Sequence, residues 1–492
     1  MHYLFLIVFV LYGISIFFIL LFSLTQLKLI LIYLLKKSPK EIKHTKHSFP
    51  MVTIQLPVYN EKYVVERLLN CIEEINYPLD KLQVQLLDDS NDDSLEIASK
   101  KVPKMQSKGY PIEHIKRTER NGYKAGALKE GLITAKGEFI AIFDADFLPH
   151  KNFLLDTLPY FINEKVGLVQ TAWKYTNEKY SLLTFLQSFG LNAHFTIEQT
   201  ARNIANHFIN FNGTAGIWRK QCILDAGNWQ SDTLTEDLDL SYRAQLKKWK
   251  FVYAGNIECL SELPVTITAL KNQQFRWSKG AAQCAKKNLM SVWKSNSCSL
   301  TTKFMATFHL LNSCIFPAIL CIALLTFPLF YIKQTTHSFD LFFRISPFFS
   351  FSIGAVLFFY AVTFFNNQKI NFQHLILFPF YFLSFLSISM ALSIHNSLAV
   401  FEGLAGIKSE FIRTPKFNLQ NHTHKFSENK YTTEKWSVLT WVELVCAFYF
   451  LFSAYYCYHV NGYGAIPFMS MISLGLIYLF LAAMFPAFKH RN

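Results

Sequence analysis

Two carboxylates follow a short apolar run in the stretch Phe143-Asp-Ala-Asp-Phe-Leu-Pro149. The preceding residues, 138–143, are typical of a buried parallel strand, so Asp144 and Asp146 are expected at its carboxyl end. In open α/β sheets the ligand crevice lies outside that end of the strands. Two acidic side chains placed there can bind Mg²⁺, which takes one or two carboxylates together with substrate phosphates. For this motif alone, an acidic turn without a ligand is the alternative.

A second acidic pair lies in residues 84–90, where Asp88 and Asp89 end an apolar run and a helical pattern begins soon afterwards. Three further stretches have strand character: 51–61, 112–116 and 166–171. Strands that alternate with helices predict a parallel sheet with right-handed crossovers. The two acidic pairs are therefore expected to converge on one rim of that sheet.

The stretch between these pairs, Arg120-Asn-Gly-Tyr-Lys-Ala-Gly-Ala-Leu128, combines two glycines with a lysine. Gly122 and Gly126 permit close approach of the backbone to a ligand, and Lys124 offers a point charge for a phosphate. A glycine-containing helix start explains the same residues. This stretch by itself therefore defines no phosphate site.

Two later motifs supply candidates for acceptor binding and proton transfer. Phe211-Asn-Gly-Thr-Ala-Gly-Ile-Trp218 is a turn of small residues between aromatic ones, and its plain interpretation is a tight loop with the tryptophan in the core. Thr235-Glu-Asp-Leu-Asp-Leu-Ser241 should begin a helix with its threonine as N-cap. Acidic residues in a first helical turn complement the helix dipole. In a functional interpretation, Glu236 or Asp237 is a general base for a hydroxyl that enters the crevice.

A cationic and aromatic motif follows, Gln273-Gln-Phe-Arg-Trp-Ser-Lys-Gly280. Arg276 has the planar fork that suits a pyrophosphate, and Trp277 presents a flat apolar face on which a sugar ring can stack. Residues 279–295 also have the character of an amphipathic helix on a membrane surface. Both interpretations can hold together, with the helix just beyond the site.

The chain of 492 residues combines membrane-like and soluble parts. It is 51% hydrophobic with a mean hydropathy of +0.19, yet 17% of its residues are charged. The apolar stretch 3–27 is long enough to cross a membrane, for which about 20 helical residues suffice. It lacks the basic start and the small-residue cleavage site of a signal peptide. Six lysines follow it, which by the positive-inside rule places the next part of the chain in the cytoplasm.

Further apolar segments follow at about 304–332, 343–365, 373–400, 438–460 and 464–488. If all of them crossed the membrane, the basic loop at 401–437 would fall outside. We therefore expect segment 373–400, which contains Pro379, His395 and Asn396, to lie in the membrane interface. The expected domains are an anchor at 1–35, a catalytic domain at 36–300 that ends in an interfacial helix, and a membrane region at 301–492 with a basic, gating-like loop at 401–437.

The net charge of +14 is concentrated beside the apolar segments. Anionic lipid headgroups account for it, and the sequence contains no nucleic-acid-binding module. The 9 cysteines are scattered without a CxxC pair. The sequence therefore indicates neither a zinc site nor a disulfide framework.

The two acidic pairs, followed by Thr235-Glu-Asp237 and Gln273-x-x-Arg276-Trp277, resemble in this order the motifs of the processive family-two glycosyltransferases. These include cellulose synthase, hyaluronan synthase and the cellulose-synthase-like mannan and glucomannan synthases, and the likeness covers about 50–300. Ser90 stands where cellulose synthase has a glycine, which is closer to the mannan-synthase-like branch. Residues 406–416 resemble the gating loop of the family, with Arg413 where a valine is common.

The resemblance implies an α/β GT-A (Rossmann-like) catalytic domain in the cytoplasm and an α-helical transmembrane bundle. It implies inverting transfer of a hexose from a nucleotide-sugar, UDP-glucose or GDP-mannose, with Mg²⁺ or Mn²⁺ as cofactor and Asp237 as the catalytic base. The donor and its diphosphate would be bound by Asp88, Asp89, Lys124, Asp144 and Arg276. The metal would be bound by Asp144 and Asp146. The acceptor would be bound by Phe211, Asn212, Gly213, Thr214, Glu236, Gln273 and Trp277.

Three functions are compatible with these residues. The first is a polysaccharide synthase that extends a β-linked chain, with β-1,4 as the expected linkage, and moves it outward between its own helices. The second is a single-transfer enzyme that glycosylates a lipid of the ceramide type, whose buried acceptor would explain an interfacial segment. The third is a transporter or a nucleotide-responsive sensor without transferase activity.

Overall fold

The computed structural model describes residues 2–36, 49–336, 343, 351–366, 371–409, 413–418 and 438–484. Most of the lysines that follow the first apolar stretch, and the basic segments 419–437 and 485–492, lie outside these residues. The membrane topology inferred from their charges therefore stays a prediction.

One seven-stranded sheet organises the described residues between 49 and 300. Its strands are β1 (Val52–Val58), β2 (Leu82–Asp88), β3 (Ile112–Lys116), β4 (Phe139–Ile142), β5 (Val166–Tyr175), β6 (Gly216–Arg219) and β7 (Lys250–Ser261). Their order is β3-β2-β1-β4-β6-β5-β7. The first four strands pair in parallel, as predicted, but β6 runs antiparallel between β4 and β5. The sheet is therefore mixed rather than entirely parallel.

The antiparallel strand has a local cause in the turn that precedes it. Gly213 and Ala215 have positive φ values of 84° and 53°, which bend the chain sharply. Gly216 pairs with Ile142 at the carboxyl end of β4, so β6 starts at this rim and runs back into the sheet. Trp218, predicted to lie in the core, is fully buried, but it belongs to this strand rather than to a loop.

Buried polar side chains fix the register of β1 against β2. Thr53 Oγ1 donates to Gln83 Oε1 at 2.9 Å, and Gln55 Nε2 donates to Gln85 Oε1 at 3.0 Å. Gln85 also donates to Thr134 Oγ1 of the helix that covers this face, at 2.9 Å. A shift of one residue would break every one of these bonds and turn the apolar side chains to the wrong face. The register therefore also determines where the residues that follow β1 and β2 lie at the edge of the sheet.

The helices are, in chain order, α1 (His2–Leu35), α2 (Val65–Glu73), α3 (Asp93–Ser107), α4 (Tyr123–Thr134), α5 (Phe153–Thr157), α6 (Leu182–Ala193), α7 (Gln199–Ile204), α8 (Lys220–Asp225), α9 (Glu236–Leu246), α10 (Ile267–Lys294), α11 (Leu300–Leu310), α12 (Ile315–Thr336), α13 (Phe351–Asn366), α14 (Phe372–Ala391), α15 (Ser393–Ala405), α16 (Val438–His459) and α17 (Ile466–Met484). A π-helical turn, His194–Glu198, joins α6 to α7.

Five helices within the described residues are long and apolar enough to cross a membrane: Phe5–Leu35, Asn312–Thr336, Phe372–Ala391, Val438–His459 and Tyr463–Met484. The apolar helix α13 is shorter, with 16 residues. The segment 373–400 divides into α14, which has the length and composition of a span, and the first part of α15. Its predicted place in the membrane interface stays a prediction.

Helix α10 connects the sheet-containing part to the membrane helices. Gly403 of α15 lies so close to it that a Cβ atom would be 2.6 Å from the main-chain oxygen of Lys279. Lys279 Nζ lies 2.6 Å from Glu402 Oε2, and Lys271 Nζ lies 2.5 Å from Glu443 Oε2. The side chains of Lys279 and Glu443 are fully buried, so each charge depends on its partner. These contacts hold the Gln273–Gly280 motif in a fixed position above the membrane helices.

Candidate active site

A cavity of about 230 Å³ opens at the carboxyl ends of β1, β2 and β4. Eleven of the residues predicted from the sequence line it: Asp89, Lys124, Asp144, Asp146, Asn212, Gly213, Glu236, Asp237, Gln273, Arg276 and Trp277. The sheet and α4 bring the first four of these to the rim, and the turn before β6 brings the next two. The start of α9 and one face of α10 supply the rest. Residues from six separate stretches of the chain therefore meet in one place.

Three predicted site residues do not line this cavity. Asp88 is buried and accepts a hydrogen bond from the Ser90 main-chain N–H at 2.9 Å, with His114 Nε2 at 2.8 Å. Phe211 is fully buried against Trp218 and belongs to the core. Thr214 Oγ1 accepts a hydrogen bond from the Asp144 main-chain N–H at 2.9 Å. These three side chains lie behind the cavity lining, and their predicted contacts with a ligand stay predictions.

Acidic side chains crowd the end of β4. Burial and the neighbouring charge of Asp146 raise the pKa of Asp144, and Lys124, whose Nζ lies 2.5 Å from Asp144 Oδ1, opposes this rise. Burial raises the pKa of Glu61 to about 8, with Arg413 opposing the rise and Asp146 adding to it. Lys416 Nζ lies 2.6 Å from Asp146 Oδ2. Burial and neighbouring negative charge thus disfavour the ionised forms of Asp144 and Glu61, and the nearby cations oppose this.

The described residues contain no cluster of three or more His, Cys, Asp or Glu side chains that could hold a metal by themselves. Two carboxylates at the end of β4 nevertheless fit a divalent ion whose remaining ligands come from substrate phosphates and water. Burial, together with the charge of Asp146, raises the pKa of Asp144, which agrees with a site that takes a cation.

Asp237 lies in the first turn of α9 and faces the cavity. Gly213 leaves room for it, because a Cβ atom at that position would lie 3.0 Å from Asp237 Oδ2 and the φ of +84° already disfavours other residues. Burial, and then the charge of Glu236, raise the pKa of Asp237 to about 7. A carboxylate with this pKa can accept a proton at neutral pH. Thr235 precedes the helix, as predicted, but makes no side-chain capping bond.

Helix α10 supplies the opposite wall. Gln273, Arg276 and Trp277 share one face, since residues three and four apart lie above one another on a helix. Burial lowers the pKa of Arg276 to about 10, which leaves the guanidinium charged at neutral pH. Gly280 allows this helix to approach α9, because a Cβ atom there would lie 2.5 Å from Thr235 Cγ2. The general base and the cationic wall are thereby held together.

The far end of the cavity contains residues that the sequence reasoning missed. Arg120 stacks its guanidinium 3.3 Å from the ring centre of Tyr59. Arg117 Nε donates to Asp89 Oδ1 at 2.7 Å. Tyr59 and Glu61 follow β1 directly, so the rule that identified the carboxylates after β2 and β4 would have found them as well.

Residues 413–418, the described part of the predicted gating-like loop, lie across the cavity. Arg413 Nη1 lies 2.9 Å from Glu61 Oε2, and the main-chain N–H of Phe417 donates to Glu262 Oε1 at 2.8 Å. Arg276 Nη2 donates to Thr414 Oγ1 at 2.8 Å. Arg413, where the resemblance led us to expect a valine, thus has a partner within the site. Residues 410–412 and 419–437 lie outside the described part of the chain.

A second cavity, of about 460 Å³, continues from the first toward the membrane helices. The two share Trp173, Leu191, Asn212, Thr235, Asp237, Gln273 and Trp277. Aromatic side chains of the membrane helices and their neighbourhood line its other end: Phe22, Phe316, Tyr360 and Phe385. A long ligand held beside Asp237 can therefore extend into the membrane region.

Comparison with known families supports this geometry. The family model described as "Glycosyltransferase like family 2" matches residues 50–280. A probable glucomannan 4-beta-mannosyltransferase 7 of Oryza sativa subsp. japonica is 43% identical over 281 residues, 56% of this chain and 48% of that protein. Glucomannan 4-beta-mannosyltransferase 1 of Cyamopsis tetragonoloba is 41% identical over 289 residues, 58% of this chain and 54% of that protein. The chain thus spans about half the length of the curated relatives that it matches.

Among solved structures, the chain resembles the mannosyltransferase PcManGT of Pyrobaculum calidifontis, determined in complex with GDP-Man and Mn²⁺. The TM-score is 0.54 at 17% sequence identity, and the alignment covers 82% of this chain and all of that one (100%). At this identity the likeness establishes the fold, which is the GT-A fold predicted from the sequence.

Proposed function

We propose that the chain, whose residues 50–280 match the family-2-like glycosyltransferase model, is a membrane-embedded inverting hexosyltransferase that extends a β-linked polysaccharide. The observation that carries the proposal is the meeting of Asp144, Asp146, Asp237, Arg276 and Trp277 around one cavity. The names of the plant relatives favour mannose as the sugar and a β-1,4 linkage. The mannosyltransferase solved with GDP-Man makes GDP-mannose the first donor to test, with UDP-glucose as the alternative.

The proposed reaction is a single displacement at the anomeric carbon of the donor sugar. Asp237 removes the proton from the acceptor hydroxyl, whose oxygen forms the new bond as the bond to the diphosphate breaks. The nucleoside diphosphate leaves with the electron pair, and Lys124 and Arg276 stabilise its charge. Because attack occurs from the face opposite to the leaving group, the configuration inverts. This scheme needs one basic carboxylate and no carboxylate nucleophile.

Asp144 and Asp146 would hold the divalent ion, Mg²⁺ or Mn²⁺, that the solved mannosyltransferase suggests. When bound, such an ion supplies positive charge to the departing diphosphate. We assign the nucleoside to the part of the cavity lined by Asp89, Tyr59 and Arg120, where the arginine stacks on the tyrosine ring.

We place the acceptor in the second cavity. Trp277 offers its ring face to the terminal sugar, and the aromatic lining beyond it suits the apolar faces of a sugar chain. The cavity continues between helices long enough to cross a membrane, which supports a path for outward movement of the polymer. The catalytic part then lies on the cytoplasmic side, as the lysines after α1 predict. The same apolar lining would also suit a single lipid acceptor.

The function is tested with membranes that contain the full chain and radiolabelled GDP-mannose or UDP-glucose. A ladder of polymer products supports the synthase, whereas one organic-soluble product supports the lipid glycosyltransferase. Release of nucleoside diphosphate from purified protein, measured across several nucleotide-sugars, identifies the donor. If no nucleotide-sugar yields product or nucleoside diphosphate, the chain has no transferase activity and the transporter or sensor alternative replaces the proposal.

The pH profile of the reaction follows from the environment of Asp237. The base acts only when ionised, so with a pKa raised to about 7 we expect kcat/KM to fall as the pH drops through 7. In Glu236→Gln the acidic limb should move to lower pH, because one of the two causes of the raised pKa is removed. Initial rates between pH 5 and 9 measure the acidic limb in the wild type and in the variant. An unchanged limb in this variant would contradict the assignment of the limb to Asp237.

A further inference from the structure

A π-helical turn stands on the acceptor side of the site. Residues His194–Glu198 form it between α6 and α7. Such turns are rare, are energetically poorer than α-helix, and often occur at functional sites. This one contributes His194 and Glu198 to the lining of the second cavity, which Asp237 and Trp277 also line.

Glu198 fixes the imidazole of His194. Its Oε2 lies 2.9 Å from His194 Nδ1, and its Oε1 accepts hydrogen bonds from Arg202, with 3.0 Å to Nε. Burial alone would raise the pKa of Glu198, but the charge of Arg202 and the bond to His194 outweigh it and hold the pKa well below its usual range. The carboxylate of Glu198 is therefore ionised and can accept hydrogen bonds but not donate them. Consequently Nδ1 of His194 carries a proton, and the ring orientation is set.

The opposite edge of the ring faces the acceptor space. His194 Nε2 and Asn212 Oδ1 are within long hydrogen-bond distance, at 3.3 Å, so binding of a sugar hydroxyl at Nε2 would replace this contact. Asn212 lines both cavities and neighbours Gly213, the residue that makes room for Asp237. Asn212 Nδ2 is buried and has no hydrogen-bond partner among the described residues. A ring nitrogen and an unused amide donor thus stand together beside the candidate base.

We propose that His194 is a binding residue for the terminal sugar of the acceptor, with Nε2 and Asn212 Nδ2 forming a pair of polar contacts for its hydroxyls. The inference rests on the proposed function and adds a residue to it. Neighbouring sugar hydroxyls both donate and accept hydrogen bonds, which matches an imidazole nitrogen beside an amide. With Trp277 against the ring face and this pair at the edge, the attacking hydroxyl is oriented toward Asp237.

The test uses the purified full chain, GDP-mannose or whichever donor the wild type accepts, and a short β-1,4-linked manno-oligosaccharide as acceptor. In His194→Ala we expect the acceptor KM to rise about five- to tenfold, as for loss of one neutral hydrogen bond, with the donor Kd unchanged. Trp277→Ala should raise the acceptor KM as well. His150→Ala removes a histidine near a carboxylate on the surface, with 3.6 Å between His150 Nε2 and Asp156 Oδ2, and should change neither constant.

Two conservative variants separate acceptor binding from a purely structural role. The amide of glutamine reaches the position of Nε2, so His194→Gln should restore much of the acceptor affinity. The amide of asparagine reaches only the position of Nδ1, so His194→Asn should keep the bond to Glu198 and not rescue. The opposite order of rescue, an unchanged acceptor KM, or loss of donor binding in all three variants would overturn the inference. A wild-type enzyme inactive with every donor would instead refute the proposed function and this inference with it.

Discussion

Asp237→Asn should lower kcat about 10³-fold, the range in which a positioned general base contributes to a rate, while the donor Kd stays within about twofold, since no charge-assisted bond to the donor is removed. Asparagine has the same shape but cannot take the proton from the acceptor hydroxyl. The turn at Gly213 and the first turn of α9 would still accommodate the side chain. Single-turnover transfer and calorimetric donor binding on the purified full chain measure the two effects separately.

Asp232→Asn is the matched control for this prediction. It makes the same chemical change in the loop before α9, where the Asp232 side chain is 57% exposed and lies 2.8 Å from Lys287. This variant should retain full activity. Turnover of Asp237→Asn close to that of the control would remove Asp237 from the mechanism. A large loss of donor affinity in Asp237→Asn would show that the carboxylate serves the donor instead.

The carboxylates of the site were predictable because a parallel sheet exposes the residues after each strand at one edge. Asp144, Asp146 and Asp89 line the cavity for this reason. Asp88 does not, because successive residues of an extended chain point to opposite sides, and only one of the pair can face the ligand. The sequence identifies the acidic pair, but the register of β2 determines which of its two residues faces the cavity. Tyr59 and Glu61 follow the same rule and were overlooked.

Other parts of the site depend on contacts between distant stretches, for which the sequence gives no local pattern. The family resemblance placed Phe211 at the acceptor, but in the structure Phe211 is fully buried against Trp218. The ion pair between Lys416 and Asp146 joins residues 270 positions apart in the sequence, and no periodicity indicates it. The π-helical turn at His194–Glu198 has an ordinary helical sequence. The sequence therefore did not indicate that its first and last residues, His194 and Glu198, line a cavity.

Asp146→Ala should abolish the metal-dependent part of donor binding. In the wild type we expect Mn²⁺ to strengthen binding of GDP-mannose by about 100-fold, the size of effect that accompanies a buried charge interaction, and EDTA to remove this gain. In the variant, the affinity for GDP-mannose should equal that of the wild type in EDTA, and Mn²⁺ should not change it. Calorimetry with and without the metal measures the difference directly. Asp156→Ala, which removes a partly exposed carboxylate of the same domain, should behave as the wild type.

The ion pair with Lys416 offers a competing explanation, because loss of Asp146 would also release residues 413–418 from the cavity. Lys416→Met distinguishes the two. If Asp146 serves the metal, this variant keeps its response to Mn²⁺, and the carboxylate freed from its lysine binds the ion at least as well as before. If Asp146 serves only to hold the loop, both variants lose donor affinity equally and neither depends on metal. That second outcome would leave Asp144 as the sole carboxylate at this position and would remove the two-carboxylate metal site from the proposed mechanism.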